Sequence, residues 1–163
     1  MLTRRAVFPV MGALALAPAA ALAQPPVQFR SVTVDVGPLR GGVGDDSTAN
    51  WIAQTLPAAL VQALGPYYQP GDRHGAVLTA RIDLVYLGPN SGPGTFSSSQ
   101  DTIAGTLIVH GARGATSTEI PLRAITTYYP TGVDQALWVE SNRARIVLLA
   151  QTFAGWAPRQ LGL

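Results

Sequence analysis

The spacing of apolar residues changes along this chain between every second residue and every third or fourth, and the order of these periods constrains the fold most. A period of two predicts strands, and a period near 3.6 predicts amphipathic helices. The order is strand, helix, strand, strand, strand, helix. The simplest packing is a single α+β domain: a four-stranded, mainly antiparallel sheet with both helices on one face.

The four predicted strands cover residues 29–36, 76–87, 101–110 and 118–129. Pro121 on the last strand suggests an edge position, because a proline donates no ladder hydrogen bond. The residues predicted to point inward are Val32, Val34, Val36, Leu78, Ala80, Ile82, Leu84, Tyr86, Ile103, Leu107, Val109, Ile120, Leu122, Ala124 and Tyr128.

Two amphipathic helices are predicted, one from the capping residues 45–48 to about residue 64 and one over residues 134–156. Pro57 either kinks the first helix or restarts it. The predicted buried stripes are Ile52, Leu56, Leu60 and Leu64 on the first helix, and Trp138, Ile146, Leu149, Phe153 and Trp156 on the second.

Residues 1–23 have the pattern of an export signal. Arg4 and Arg5 precede an apolar segment at residues 7–22, and the small residues Ala21 and Ala23 predict cleavage before Gln24. The stretch 3–8 is similar to a twin-arginine signal, although ordinary secretory signals also carry paired arginines. We therefore expect residues 24–163 to form one periplasmic domain that does not span the membrane after cleavage.

At the level of element order the chain resembles small periplasmic α/β lipoproteins of envelope assembly. The lipopolysaccharide-assembly lipoproteins and the auxiliary lipoproteins of lipid ABC transporters are the nearest kinds. The likeness is carried by the strand at 32–36, the stripe from Ile52 to Leu64 and the closing helix at 145–156. It implies a role in the cell envelope. Gln24 stands where those families have the lipidated cysteine, so the likeness implies no lipid anchor.

Charge and composition exclude several classes of function. All eleven basic residues are arginines, and the two that leave with the signal reduce them to nine against nine acidic residues. Nucleic-acid binding is not expected, because it needs clustered positive charge. The chain has no cysteine, which excludes thiol catalysis and thiolate metal sites. No cofactor is predicted.

Catalytic and metal-binding patterns are weak. The glycines at 42 and 44 precede Asp45 and Asp46, which would repel a phosphate. Asp72 and His74 lie in a polar turn, and with the loop serines (Ser91 and 97–99) they give the alternative hypothesis, a small hydrolase-like periplasmic enzyme. No catalytic or metal-ligating residue is assigned, and His110 is expected at the surface.

The sheet face away from the helices is the predicted working surface. Its predicted residues are Thr79, Arg81, Asp83, Val85, Thr106, Ile108, Arg123, Ile125 and Thr127, with Tyr128 near its end. It is more apolar than a purely solvated face, and the alternative interpretation is the ordinary outer face of an antiparallel sheet. The leading hypothesis is therefore a non-enzymatic domain that binds an envelope protein or an amphiphile through Arg81, Arg123, Ile108, Ile125 and Tyr128.

Overall fold

In the computed structural model the described residues are 27–40, 46–89, 99–111, 116–128 and 138–163. They form β1 (Phe29–Asp35), α1 (Asp46–Leu64), β2 (Ala76–Tyr86), β3 (Ser99–His110), β4 (Thr118–Tyr128) and α2 (Trp138–Gln160). The predicted α+β class and the order of elements are confirmed.

The strands form one sheet in the order β1-β2-β3-β4. β1 runs parallel to β2, whereas the other two pairs are antiparallel. A parallel pair needs a long crossover connection, and α1 lies within that connection. β4 is an edge strand, as Pro121 predicted.

The core lies between one face of the sheet and the two helices, which pack side by side. The stripe predicted for α1 is confirmed, since Ile52, Leu56, Leu60 and Leu64 have no exposed surface. Pro57 lies inside α1 and does not restart it. The helix ends at Leu64, and the next residue, Gly65, has a φ of 50°, in the left-handed region that favours glycine. No helix in the described part of the chain has the length and apolar character needed to cross a membrane.

α2 extends beyond its predicted end, to Gln160, and its buried stripe differs from the predicted one. Ile146, Leu149 and Phe153 are buried as expected, but Trp156 is 45% exposed and lies under the Arg159 guanidinium, 5.5 Å from the ring centroid. Three alanines complete the buried face of α2, at positions 150, 154 and 157. These small side chains allow α2 to approach α1 closely, so the buried face is centred away from the tryptophan. The side chain of Trp138 lies outside the described part of the chain.

A β-bulge in β2 corrects the predicted alternation of that strand. Ile82 pairs with Gly105, and Leu84 pairs with the next residue of β3, Ala104, so Asp83 is the extra residue. After the bulge the two faces of β2 are exchanged. Leu84 and Tyr86, which were predicted to point inward, are 48% and 52% exposed, whereas Val85, predicted outward, packs against the core.

Gly105 permits the close approach that the bulge requires. A Cβ atom at this position would collide with the carbonyl oxygen of Arg81 and would stand 3.1 Å from the Cα of Ile82. Any larger residue at 105 would force the two strands apart at this point. The bulge therefore depends on a glycine of the neighbouring strand as well as on Asp83.

Candidate functional site

The sheet face away from the helices, here called the outer face, is composed of cross-strand rows fixed by the register. Thr79, Ile108 and Glu119 form one row, and Arg81, Thr106 and Pro121 form the next. Beyond the bulge come two more rows, Leu84 with Ala104 and Arg123, and Tyr86 with Thr102 and Ile125. The register thus puts four of the five predicted binding residues, Arg81, Ile108, Arg123 and Ile125, on this face.

The fifth predicted residue, Tyr128, ends β4. Its side chain lies outside the described part of the chain, and its backbone pairs with Ser99. Ser99 is buried on the side of the sheet that the helices cover. The register therefore does not add Tyr128 to the outer face.

Three exposed apolar side chains form an apolar patch on the outer face: Leu84 at 48%, Tyr86 at 52% and Ile125 at 50% exposure. Two of the three come from the exchange of faces at the bulge. Thr102, between Tyr86 and Ile125, is only 6% exposed although it belongs to the outer face. Ile108, two rows away, is half-buried. The patch is thus centred nearer the end of β2 than the sequence predicted.

Arg81 has charged partners within its own surface. Its Nε donates to Asp83 Oδ1 at 3.1 Å, and its guanidinium also donates to Thr106 Oγ1 at 3.4 Å. In the register, Asp35 of β1 is the residue opposite Arg81. The guanidinium of Arg81 is therefore paired with the carboxylate of Asp83 on the same surface.

Arg123 has a different environment. It is exposed, and among the described residues it has no hydrogen bond or ion pair. Its neighbour across the strand pair is Ala104, followed by Leu84. The acidic residue on its own strand, Glu119, is four positions away, or about 13 Å along a strand. Arg123 is thus an uncompensated cation at the border of the apolar patch.

A buried polar cluster joins α2 to the start of β3. The sequence analysis did not predict it. The Arg145 guanidinium pairs with the Asp101 carboxylate, and it also donates to Gly88 O at 2.7 Å and Ser99 Oγ at 3.2 Å. Asp101 Oδ1 in turn accepts from Gly88 N at 3.0 Å. The two charged side chains therefore satisfy both backbone groups of Gly88, where the pairing of β2 with β3 stops.

Periodicity contains a signal for this cluster. Arg145 is four residues before Leu149 and eight before Phe153, so it belongs to the buried stripe of α2. Asp101 likewise begins the inward row that continues with Ile103. A charged residue in register with an apolar row is a candidate for a buried pair. The cluster is enclosed on all sides, so we assign it a structural role.

The turn that contains Asp72 and His74 borders an open cavity of about 540 Å³, whose other polar lining includes Gln28, Thr116 and Thr118. Asp72 Oδ1 accepts from His74 N at 2.8 Å, and His74 Nδ1 is 3.8 Å from the same oxygen. The imidazole is 68% exposed. Within the described residues no group of three potential metal ligands is present.

The structure separates this turn from the serine that it describes. His74 precedes β2, whereas Ser99 begins β3 beside the far end of β2. Eleven strand residues lie between these ends, which corresponds to roughly 35 Å. Ser99 also belongs to β3, not to the predicted loop, and it binds Arg145. Ser91, Ser97 and Ser98 lie outside the described residues.

Comparison with known proteins yields similar solved structures only. No family model matches the chain, and no curated protein matches it in sequence. A minor lipoprotein from Acinetobacter baumannii is 17% identical, with a TM-score of 0.41, over 82% of this chain and 96% of that chain. Rare lipoprotein B from Shewanella oneidensis is 8% identical, with a TM-score of 0.45, over 81% and 93%. PelC from Paraburkholderia phytofirmans, described as a dodecamer, is 13% identical, with a TM-score of 0.41, over 83% and 90%. Similarity at this level carries no inference about function.

Proposed function

We propose that this chain is an exported, non-enzymatic domain of the cell envelope that binds a partner, a protein or an amphiphile, through the outer face of its sheet. The observation that supports this most is the apolar patch, because Leu84, Tyr86 and Ile125 are each about half exposed and lie in neighbouring rows of the outer face, on either side of β3. Exposed apolar and aromatic side chains with an arginine beside them are typical of binding surfaces.

The proposed location is the periplasm, and it rests on the signal-like residues 1–23. The paired Arg4 and Arg5, the apolar segment and the small residues before Gln24 support export and cleavage. The proposed mature chain is residues 24–163, a single domain. The proposal includes export by the twin-arginine route, which the stretch 3–8 supports. This route would deliver the domain already folded.

The hydrolase-like alternative loses one of its elements. Asp72 and His74 lie at the end of the sheet opposite Ser99, and Ser99 is held in the buried Arg145 cluster. A nucleophile and its base must approach within hydrogen-bonding distance. We therefore do not propose catalysis by Asp72, His74 and Ser99.

Site-specific photocrosslinking in living cells tests the proposed face. A photoreactive amino acid at Ile125 should give a discrete crosslinked product, because this side chain lies in the apolar patch. The matched control is the same amino acid at Gln62, an exposed residue of α1. Equal products from both positions, or a product from Gln62 alone, would contradict the outer face as the binding surface.

A further inference from the structure

On the outer face the register sets small side chains near the start of β3 between larger side chains of β2 and β4, and this strip is here called the groove; Arg123 belongs to one of its walls. Its floor is formed by the small side chains Thr102 and Ala104, and its walls are Leu84 and Tyr86 on β2 and Arg123 and Ile125 on β4. The walls are two strand spacings apart, which is about 10 Å. An α-helix with its side chains is about 10–12 Å wide and does not enter such a groove. A single row of side chains from an extended segment does.

The spacing along the groove matches an extended partner. The row of Arg123 and the row of Ile125 are two residues apart on β4, which is about 6.6 Å. Alternate side chains of an extended segment have the same separation. When an acidic side chain of the partner segment faces Arg123, the partner side chain two positions away therefore lies over Tyr86 and Ile125. An apolar side chain fits that position.

Charge distinguishes the possible occupants. Arg81 is compensated by Asp83, so Arg123 is the cation that adjoins the apolar patch without a partner among the described residues. An arginine takes a carboxylate through two parallel hydrogen bonds, and a partly apolar surround strengthens them. An anionic bilayer fits poorly, because three acidic residues accompany Arg81 and Arg123 on this face: Asp35 and Glu119 in its rows, and Asp83 at the bulge. Adsorption to such a bilayer needs an excess of basic residues.

We propose that the groove binds an extended protein segment in which an Asp or Glu lies two residues from a large apolar residue, with Arg123 as the anchor for the carboxylate. This rests on the proposed function, since it names the partner chemistry of the same face. It differs from the expectation that Arg81 and Arg123 act equally. Arg123 selects an acidic side chain of the partner, whereas Arg81 pairs with Asp83 of the same surface.

Selection of displayed random peptides on the immobilised mature protein tests the proposal. The native protein should enrich peptides with an acidic residue two positions from an apolar one. R123E should enrich basic residues at the acidic position and should bind the original peptides about tenfold or more weakly. The matched control R143E reverses an exposed charge on α2 and should select the same peptides as the native protein. L84Q should weaken all selected peptides, and unchanged thermal midpoints should show that each variant is folded.

The outcomes separate the two proposals. Peptides that depend on Leu84 but show no acidic preference would overturn the role of Arg123 and leave the outer face as the binding surface. Selected peptides that are indifferent to L84Q, or a selection without any binder, would overturn both. Sedimentation with vesicles of phosphatidylethanolamine and one quarter phosphatidylglycerol provides the other arm. Binding to these vesicles that L84Q and R123E abolish would replace the protein segment with a lipid surface.

Discussion

Arg145 and Asp101 form an ion pair that is almost completely withdrawn from solvent, with side-chain exposures of 4% and 1%. The pair joins α2 to β3 and binds both backbone groups of Gly88, two residues after the end of β2. Tyr86 of the apolar patch is only two residues from Gly88. The position of the patch therefore depends on a contact made on the opposite, helix-covered side of the sheet.

Removal of one member of this pair should destabilise the domain strongly. Arg145→Met leaves Asp101 buried without its cation and Gly88 O without its donor, and we expect a loss of about 3–5 kcal/mol in the free energy of unfolding. The double variant Arg145→Met with Asp101→Leu should lose less than either single variant, because no isolated charge remains buried. Denaturant unfolding measures all three. A double variant whose loss equals the sum of the single losses would contradict the pairing.

Truncation within the α1 stripe should be costly. Leu60 is fully buried, and Leu60→Ala should reduce the free energy of unfolding by about 2–4 kcal/mol through lost burial and the cavity left behind. Gln62→Ala, two residues away on the exposed side, should change it by less than about 0.5 kcal/mol. The denaturant midpoints of the two variants provide the comparison. Equal midpoints would mean that α1 packs through another face.

Two glycine-to-alanine substitutions should change the stability of the domain in opposite directions. Gly105→Ala should destabilise the domain, because the added Cβ collides with the Arg81 carbonyl oxygen at the bulge. Gly155→Ala, on the exposed side of α2 with no atom within 4 Å of the added Cβ, should stabilise it by about 0.5–1 kcal/mol through the better helix propensity of alanine. Thermal unfolding of both variants tests the pair. Stabilisation by Gly105→Ala would contradict the strand register at the bulge.

The mature protein should begin at Gln24 and be recovered from the periplasmic fraction. The reason is the small residues Ala21 and Ala23 followed by a residue that cannot be lipidated. Intact-mass measurement of the fractionated protein decides the point. A mass that includes residues 1–23, or one increased by acyl chains, would refute the expectation.

The spacing of apolar residues was sufficient to predict the order of elements and the buried stripe of α1. The large apolar residues of that helix, such as Leu56, lie on one side of it, so the helix has a single face that it can bury. The spacing was insufficient for β2 beyond Ile82. There one extra residue reverses every later side chain, and the cause is a backbone contact with Gly105 on another strand. No local pattern in β2 contains that information.

The outcome for charged residues has the same kind of explanation. Sequence placed Arg81 and Arg123 on one face, but only the structure shows that Arg81 pairs with Asp83 and that Arg123 has no charged partner within the described part of the chain. The spacing of Arg145 from Leu149 matches the buried stripe of α2, but it does not identify the acidic partner on β3. Pairing partners lie on other strands and helices, and a single-chain pattern does not identify them.

The bulge at Asp83 makes the chemical character of one end of the sheet a matter of how β2 pairs with β3. The same letters paired without a bulge would turn Leu84 and Tyr86 towards the helices and Val85 towards solvent. Deletion of Asp83, by contrast, would join Ile82 directly to Leu84 and would keep Leu84 and Tyr86 on the outer face. Chains that otherwise match this one but carry a larger residue in place of Gly105 should accordingly be expected to recognise different things.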